Sequence, residues 1–481
     1  METPADLAAE DVLLFVNAAI TSTGQREFHS ESGLQQGSLE FLHEYTAVNY
    51  RDLYAAALAL GINDHNAALI VLRLLSTARD ATPEQRRTEG PLIARTLRRL
   101  PPHRVFHLFS ALRRARVNNR RTRALMREWL EARPDPAFDA VKYRAAFKTA
   151  VRHAHLRPDR LPGAEGELGA FLFASGPTRP FRTPIFEHWR RAHFEQSSVY
   201  ELPYTVAEGF AAAHGIDRSL FLERIAPRLT RSERLRLQRS AERAEAASVR
   251  LDAAALARMP LTRLASYTLS MPVEERAGRR AELTAALRSA ARRVAGDRAG
   301  TWGKVAAVLD DSYSSSGSSE KRRRPLAVAL ACDFLLEALA GEYHRLWLTG
   351  RDDPLLASAG GATALGSRIL DGLELAPERL IVVSDGWDNA PAGMASEVLR
   401  VWSTRLDPER RTAVVHLNPV YDAAGLEVRR LGRAVPTTGI RDAEDLPELV
   451  AFARFATGRG GMEELRSHLA ARVDRYLGED G

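Results

Sequence analysis

The chain has 481 residues, 45% hydrophobic and 27% charged. That balance fits two or three globular units of roughly 150 residues each and excludes collagen-like, low-complexity and wholly disordered chains. The single cysteine, Cys332, excludes an internal disulfide framework and a Cys/His zinc site, and it follows an apolar run that reads as core. The net charge of +7 rests almost wholly on arginine, since lysine occurs only at 142, 148, 304 and 321. A planar guanidinium suits phosphate, while an abundance of both alanine and arginine is equally what GC-rich coding DNA produces.

The first residues, Met1-Glu-Thr-Pro-Ala-Asp, are acidic and unlike a signal peptide. The longest apolar stretch, Pro325 to Ala340, is interrupted by Asp333 and Glu337 and falls short of the ~20 residues of a bilayer span. A cytoplasmic protein with no membrane segment is expected. From residue 1 to about 298 helix follows helix. The apolar spacing predicts helices at Tyr50–Leu60, Asp64–Thr77, Pro91–Leu100, Val105–Arg116, Arg121–Ala132, Ala137–His155, Val206–His214 and Ser219–Ile225. Asp217 stands at an N-cap, and Thr230 with Glu233 forms a capping box opening Arg231–Ser248. Helices of this length joined by Pro- and Gly-marked turns suggest stacked antiparallel pairs, an α-solenoid of HEAT-like repeats, although no strict sequence period is visible.

The pattern changes after the linker-like 296–303. Strand-like runs at Val305–Leu309, His344–Leu348, Leu380–Ser384 and Ala413–Leu417 alternate with helices at Pro325–Ala340, Ala364–Leu373 and Ala395–Thr404, followed by Leu446–Thr457 and Met462–Leu477. Such alternation predicts a doubly wound, Rossmann-like parallel sheet covered on both faces. The fold class expected is therefore multidomain, α for 1–298 and α/β for 299–481.

Open α/β sheets bind ligands beyond the carboxyl ends of their strands. After the first strand comes Asp310-Asp311-Ser312-Tyr313-Ser314, before the second helix Gly360-Gly361-Ala362-Thr363, and after the third strand Asp385-Gly386. Magnesium takes oxygen ligands in an octahedron and keeps several waters, so one or two carboxylates suffice. Ser312, Ser314 and Thr363 would supply hydroxyls; Asp310 and Asp385 would supply charge, directly or through water. Asp-x-Ser-x-Ser at 310–314, with Thr363 and Asp385, resembles the metal-ion-dependent adhesion site of von Willebrand factor A (vWA) domains. The resemblance implies a divalent cation, Mg2+ first, whose shell is completed by an acidic group. Glu320-Lys321-Arg322-Arg323-Arg324, which follows the motif, would either neutralise an anionic ligand or form a solvated helix start. No base–nucleophile pair is visible, and no catalytic residue is assigned.

Arg113, Arg114, Arg116, Arg120, Arg121, Arg123 and Arg127 form an acid-free run, and Lys142, Arg144, Lys148, Arg152, His155 and Arg157 follow on the next helix and its exit. Two such helices packed as a hairpin would present a positive stripe to a phosphate backbone. A helical array followed by a vWA-like domain is similar to the Ro ribonucleoprotein (TROVE) family. Ala140-Val141-Lys142-Tyr143-Arg144, running on to His155-Leu156-Arg157-Pro158, resembles that family's basic helix-and-turn segment, and Met259-Pro260-Leu261-Thr262 resembles a short stretch ahead of its vWA domain. The segment between Lys142 and His155 is shorter than in the family. The resemblance implies a ring of helical repeats, a monomer, and a non-catalytic scaffold. Its partners would be small non-coding RNA of the Y RNA kind, ends of misfolded RNA, and an exoribonuclease in RNA quality control. The alternative is a protein-interaction adaptor that grips a partner's acidic side chain through the metal and binds no RNA.

Overall fold

The computed structural model describes residues 4–164, 166–174, 179–243, 249, 251, 253–432, 435–453, 455 and 462–478. It is mostly helical, with one parallel sheet in the C-terminal part. The strands are β1 (Lys304–Leu309), β2 (Glu342–Trp347), β3 (Arg379–Val383), β4 (Ala413–Asn418) and β5 (Thr437–Gly439). They lie in the order β2-β1-β3-β4-β5, all neighbours parallel. The chain adds β2 on one side of β1 and β3 on the other. The direction of winding therefore reverses between β1 and β3, and their carboxyl ends flank the crevice such sheets leave open.

The strand sequences explain the layering. Alternate residues point to opposite faces. Ala306, Val308, Leu380 and Val382 pack with Leu365, Ile369 and Leu373 of the helix Leu365–Glu374 and with Ala395 and Leu399 of the helix Met394–Val401. Val305, Ala307, Leu309, Ile381 and Val383, equally buried, face the other side. The helix Arg324–Leu339 packs against β1 and β2 and is buried nearly all round, from Pro325 to Leu336, because the helices Leu261–Ser270 and Arg280–Ala295 pack on it as well. That explains its continuous apolar run, which an exposed amphipathic helix would not carry.

The N-terminal helix Pro4–Thr21 closes the β5 edge. Asn17 Oδ1 accepts from Gly439 N (2.8 Å) and from Thr438 Oγ1 (3.2 Å). A Cβ at Gly439 would meet Thr21 Cγ2 at 2.7 Å, so this position needs glycine for the approach. The sheet begins at Lys304, close to the expected change at 299. The compact units nevertheless divide elsewhere: one is Met1–Asn66 with Ala253–Gly481, the other Ala67–Asp252. The helices just described account for this, since both the N-terminal helix and residues 253–295 complete the core around the sheet.

The second unit is helical. Side-chain N-caps open several of its helices: Thr82 with Gln85 opens Pro83–Arg99, Asn119 opens Arg120–Glu131, Asp135 opens Pro136–Lys142, and Asp217 opens Arg218–Ile225. The capping box of Thr230 and Glu233 forms on Arg231–Arg243; residues 244–248 of that expected helix lie outside the described residues. Phe106, Phe109, Trp129 and Phe147 meet edge-on or tilted in its core, each pairing worth roughly 0.5–1.5 kcal/mol beyond burial. The stretch expected as one helix, Ala137–His155, is two, Pro136–Lys142 and Arg144–Ala154, broken at Tyr143 (φ −123°, ψ 33°) with its ring against Phe106.

Candidate functional site

Two groups of expected site residues stand in different places in the fold. The first lies at the β1/β3 carboxyl ends. Asp310 and Asp385 follow the two strands closely and are both buried, as are Ser312, Ser314 and Thr363. Asp310 Oδ1 accepts from Ser312 N (2.9 Å) and its Oδ2 from Ser384 Oγ (2.7 Å). Ser312 Oγ and Ser314 Oγ are 3.3 Å apart. Asp385 Oδ1 accepts from Trp387 N (3.0 Å). Tyr313 N donates to Gly361 O (3.1 Å) and Gly360 N to Asp311 O (2.9 Å), which ties the threonine loop to the serine loop. The Thr363 hydroxyl makes no hydrogen bond among the described residues, although the residue is only 3% exposed.

Burial, and then the neighbouring Asp385 charge, push the Asp310 carboxyl well above the usual carboxylate range; the bonds from Ser312 and Ser384 only partly counter this. Two close, buried carboxylates beside three hydroxyls fit a small divalent cation, which would balance both charges. Among the described residues no three His, Cys, Asp or Glu side chains gather as a metal cluster, so the shell would depend on the hydroxyls and water. Asp311 is not a further oxygen here. It turns to Thr349 N (3.1 Å), Thr349 Oγ1 and Arg351, behind the rim.

Sequence reasoning overlooked the residues that support this rim. Ser384 bonds Asp310. His416, fully buried, holds the Ser384 carbonyl through Nε2 (3.0 Å), and burial lowers its pKa to about 4, so it is neutral. Asn418 Nδ2 donates to the carbonyls of Asp385 and Arg429 (3.0 Å each). The Ser-Asp-Gly run at 384–386 was the available signal for the first; nothing local marks the other two.

The basic run after the motif is neither anion-facing nor solvated as a whole. Lys321 forms a buried ion pair with Glu27, Arg323 donates to Leu269 O, and Arg324 Nη2 donates to Arg441 O (3.0 Å). Only the Arg322 side chain is both exposed and without a partner among the described residues. Gly317 makes the turn into this run (φ 68°); a Cβ there would lie 2.2 Å from Lys321 O.

The second group lies in the helical unit, and it divides. Lys142 stands 3.6 Å from Glu233, with only 19% of its side chain exposed. Arg144 donates to Phe171 O (2.8 Å) and lies over the Phe171 and Trp189 rings, and burial lowers its pKa. Arg121 pairs with the buried Glu89 at 3.2 Å. Lys148 lies over Phe173, as does Arg152, though Arg152 remains exposed. These interactions turn Lys142, Arg144 and Arg121 inward.

By contrast Arg113, Arg114, Arg116 and Arg120 are exposed and have no ion pair among the described residues; they surround the turn between the helices Pro102–Arg114 and Arg120–Glu131. The end of the helix Arg144–Ala154 is fastened to this turn. His153 Nε2 bonds Val117 O (2.9 Å), and Arg127 Nε and Nη2 donate to the carbonyls of Ala154 (2.7 Å) and His155 (3.3 Å). The helix end that carries exposed His155 and Arg157 thereby adjoins the turn with the four arginines, while Arg152 lies over Phe173.

No protein family matches the chain, and no curated protein matches its sequence. No helix among the described residues is long and apolar enough to cross a membrane.

Proposed function

We propose that the protein is a non-catalytic RNA-binding scaffold of the Ro kind, whose C-terminal vWA-like domain holds a divalent cation. The observation that carries the reading is the group of exposed Arg113, Arg114, Arg116 and Arg120 around one turn of the helical unit, with exposed His155 and Arg157 at the helix end fastened to it. Exposed guanidinium groups without internal acids keep their forks for phosphate, and each phosphate neutralised releases counterions. The helical unit, read as a repeat array, would hold structured non-coding RNA through backbone interactions, which position rather than specify. Asp310, Ser312, Ser314, Thr363 and Asp385 would hold the cation, which supplies positive charge and open positions for water or another oxygen.

Sequencing of RNA that co-purifies with the protein, washed at low and at moderate salt, tests this. Enrichment of a few small structured RNAs, removed as salt rises and indifferent to chelator, is expected. Background RNA alone, with a protein partner released by chelator, would hand the function to the adaptor reading. For the cation, Asp310→Asn should abolish binding in calorimetry and leave the chain folded, because it removes a buried like charge.

A further inference from the structure

The strands are all parallel, so their amino ends share one rim of the sheet, opposite the candidate cation site. A cavity of about 530 Å3 opens at that rim. Trp302 leads into β1, Arg379 opens β3, and Val414 is the second residue of β4. The helices Met394–Val401 and Leu446–Ala453 complete the wall with Leu399, Pro447 and Val450. Trp402 follows the first of these helices in a π-helical turn, closed by Asp407 N donating to Trp402 O (2.7 Å). Wide turns of this kind recur at functional sites. All of these residues belong to the unit that contains the sheet.

The lining has the composition of a small-molecule site, mostly apolar and aromatic with a few polar groups. Trp302 and Trp402 are both partly exposed there, so neither indole is used up by the core. The charged side chains of the lining are Arg379, Arg410 and Asp407. Asp407 is engaged locally, its carboxylate accepting from Arg411 N (2.8 Å) and Thr412 N (2.9 Å). Arg379 Nε donates to Trp302 O (3.2 Å), and its guanidinium lies 5.3 Å from the centre of the Trp302 ring. Neither Arg379 nor Arg410 has an ion pair among the described residues. Two guanidinium groups therefore accompany one engaged carboxylate, and the surplus charge beside the apolar walls is positive.

We propose that this cavity binds a small hydrophobic carboxylate. Its carbon body lies against Trp302, Trp402 and the aliphatic wall, and its carboxylate is held by Arg379 and Arg410. A planar guanidinium fork matches a carboxylate, and the bond is strengthened by charge on both partners. A neutral ligand of the same body would forgo that bond, and a cationic one would meet like charge. The cavity shares no residue with the cation rim or with the arginine-rich turn, so it stands independently of the proposed function.

The test titrates the full chain by calorimetry with decanoate, decan-1-ol and decylammonium, which share one body and differ in head-group charge. Saturable binding of one decanoate per chain is expected, roughly 10-fold tighter than decan-1-ol, with decylammonium weakest. Ala451→Trp, at an exposed position of the lining, fills the cavity and should abolish binding of all three. Arg379→Met/Arg410→Met should remove the preference for the acid and leave binding of the alcohol; Arg410→Met alone, at an exposed side chain, makes the same comparison should the double variant melt early. Equal affinity for the three probes, decanoate binding unaltered in the variants, or no saturable binding of decanoate overturns the proposal.

Discussion

At the residue scale the same side-chain chemistry takes opposite roles according to what it faces. Lys142 and Arg144 carry the sequence resemblance to an RNA-binding segment, yet one faces Glu233 and the other is held by Phe171 and Trp189. Arg144→Ala should therefore cost about 2 kcal/mol of stability, since it removes a cation–π pair and a hydrogen bond, with no change in the salt dependence of RNA binding. Urea melts read the first and binding titrations the second; a flattened salt slope would place Arg144 on the RNA surface. Asp445 offers a pH test. Burial first, then Asp442, Glu444 and Glu448, push its carboxyl up to about 7, while in the unfolded chain it titrates near about 3.9. A pKa raised on folding contributes stability fully present below about pH 4 and removed as pH rises through about 7. Asp445→Asn should flatten the fall of the denaturation midpoint between those values; an unaltered slope would show that the group does not titrate this way.

At the scale of elements, local patterns were legible and long-range ones were not. The four main strands and the capping box of Thr230 and Glu233 follow from hydrophobic runs and cap chemistry within a few residues. The three-residue β5 carries no such run. It exists because Thr437 to Gly439 pair with β4 and accept the N-terminal helix through Asn17. The break at Tyr143 was likewise invisible, because the Phe106 ring that receives the tyrosine comes from another helix. The five motif residues of the rim were readable as short patterns at strand ends; His29, His416 and Asn418 reach it through tertiary packing alone. The turn Glu27–Ser30, held by the buried ion pair of Glu27 with Lys321, has its own test. Glu27→Ala leaves Lys321 buried and unpaired and should cost about 3–5 kcal/mol, while Glu27→Leu with Lys321→Met should recover most of that. Equal destabilisation in the single and double variants would show that the ion pair does not hold the turn.

For the whole molecule, segments distant in sequence complete one unit. Residues 1–66 and 253–298 read as part of a helical array, but the helix Pro4–Thr21 packs on β5 and the helices Leu261–Ser270 and Arg280–Ala295 pack on the helix Arg324–Leu339, in the unit that contains the sheet. The remaining unit, Ala67–Asp252, carries the exposed arginine cluster. The functional reading turns on this cluster binding RNA through phosphates. The deciding quantity is the salt dependence of binding to a co-purified structured RNA, for wild type and for Arg113→Glu/Arg116→Glu/Arg120→Glu. Each phosphate that the variant no longer neutralises should reduce the slope of log K against log salt by about 0.9 in duplex regions. Three such phosphates predict a drop of roughly 2 to 3 and much weaker binding at low salt, with the melting transition unchanged. Equal slopes in the two proteins would show that RNA is not held by these arginines.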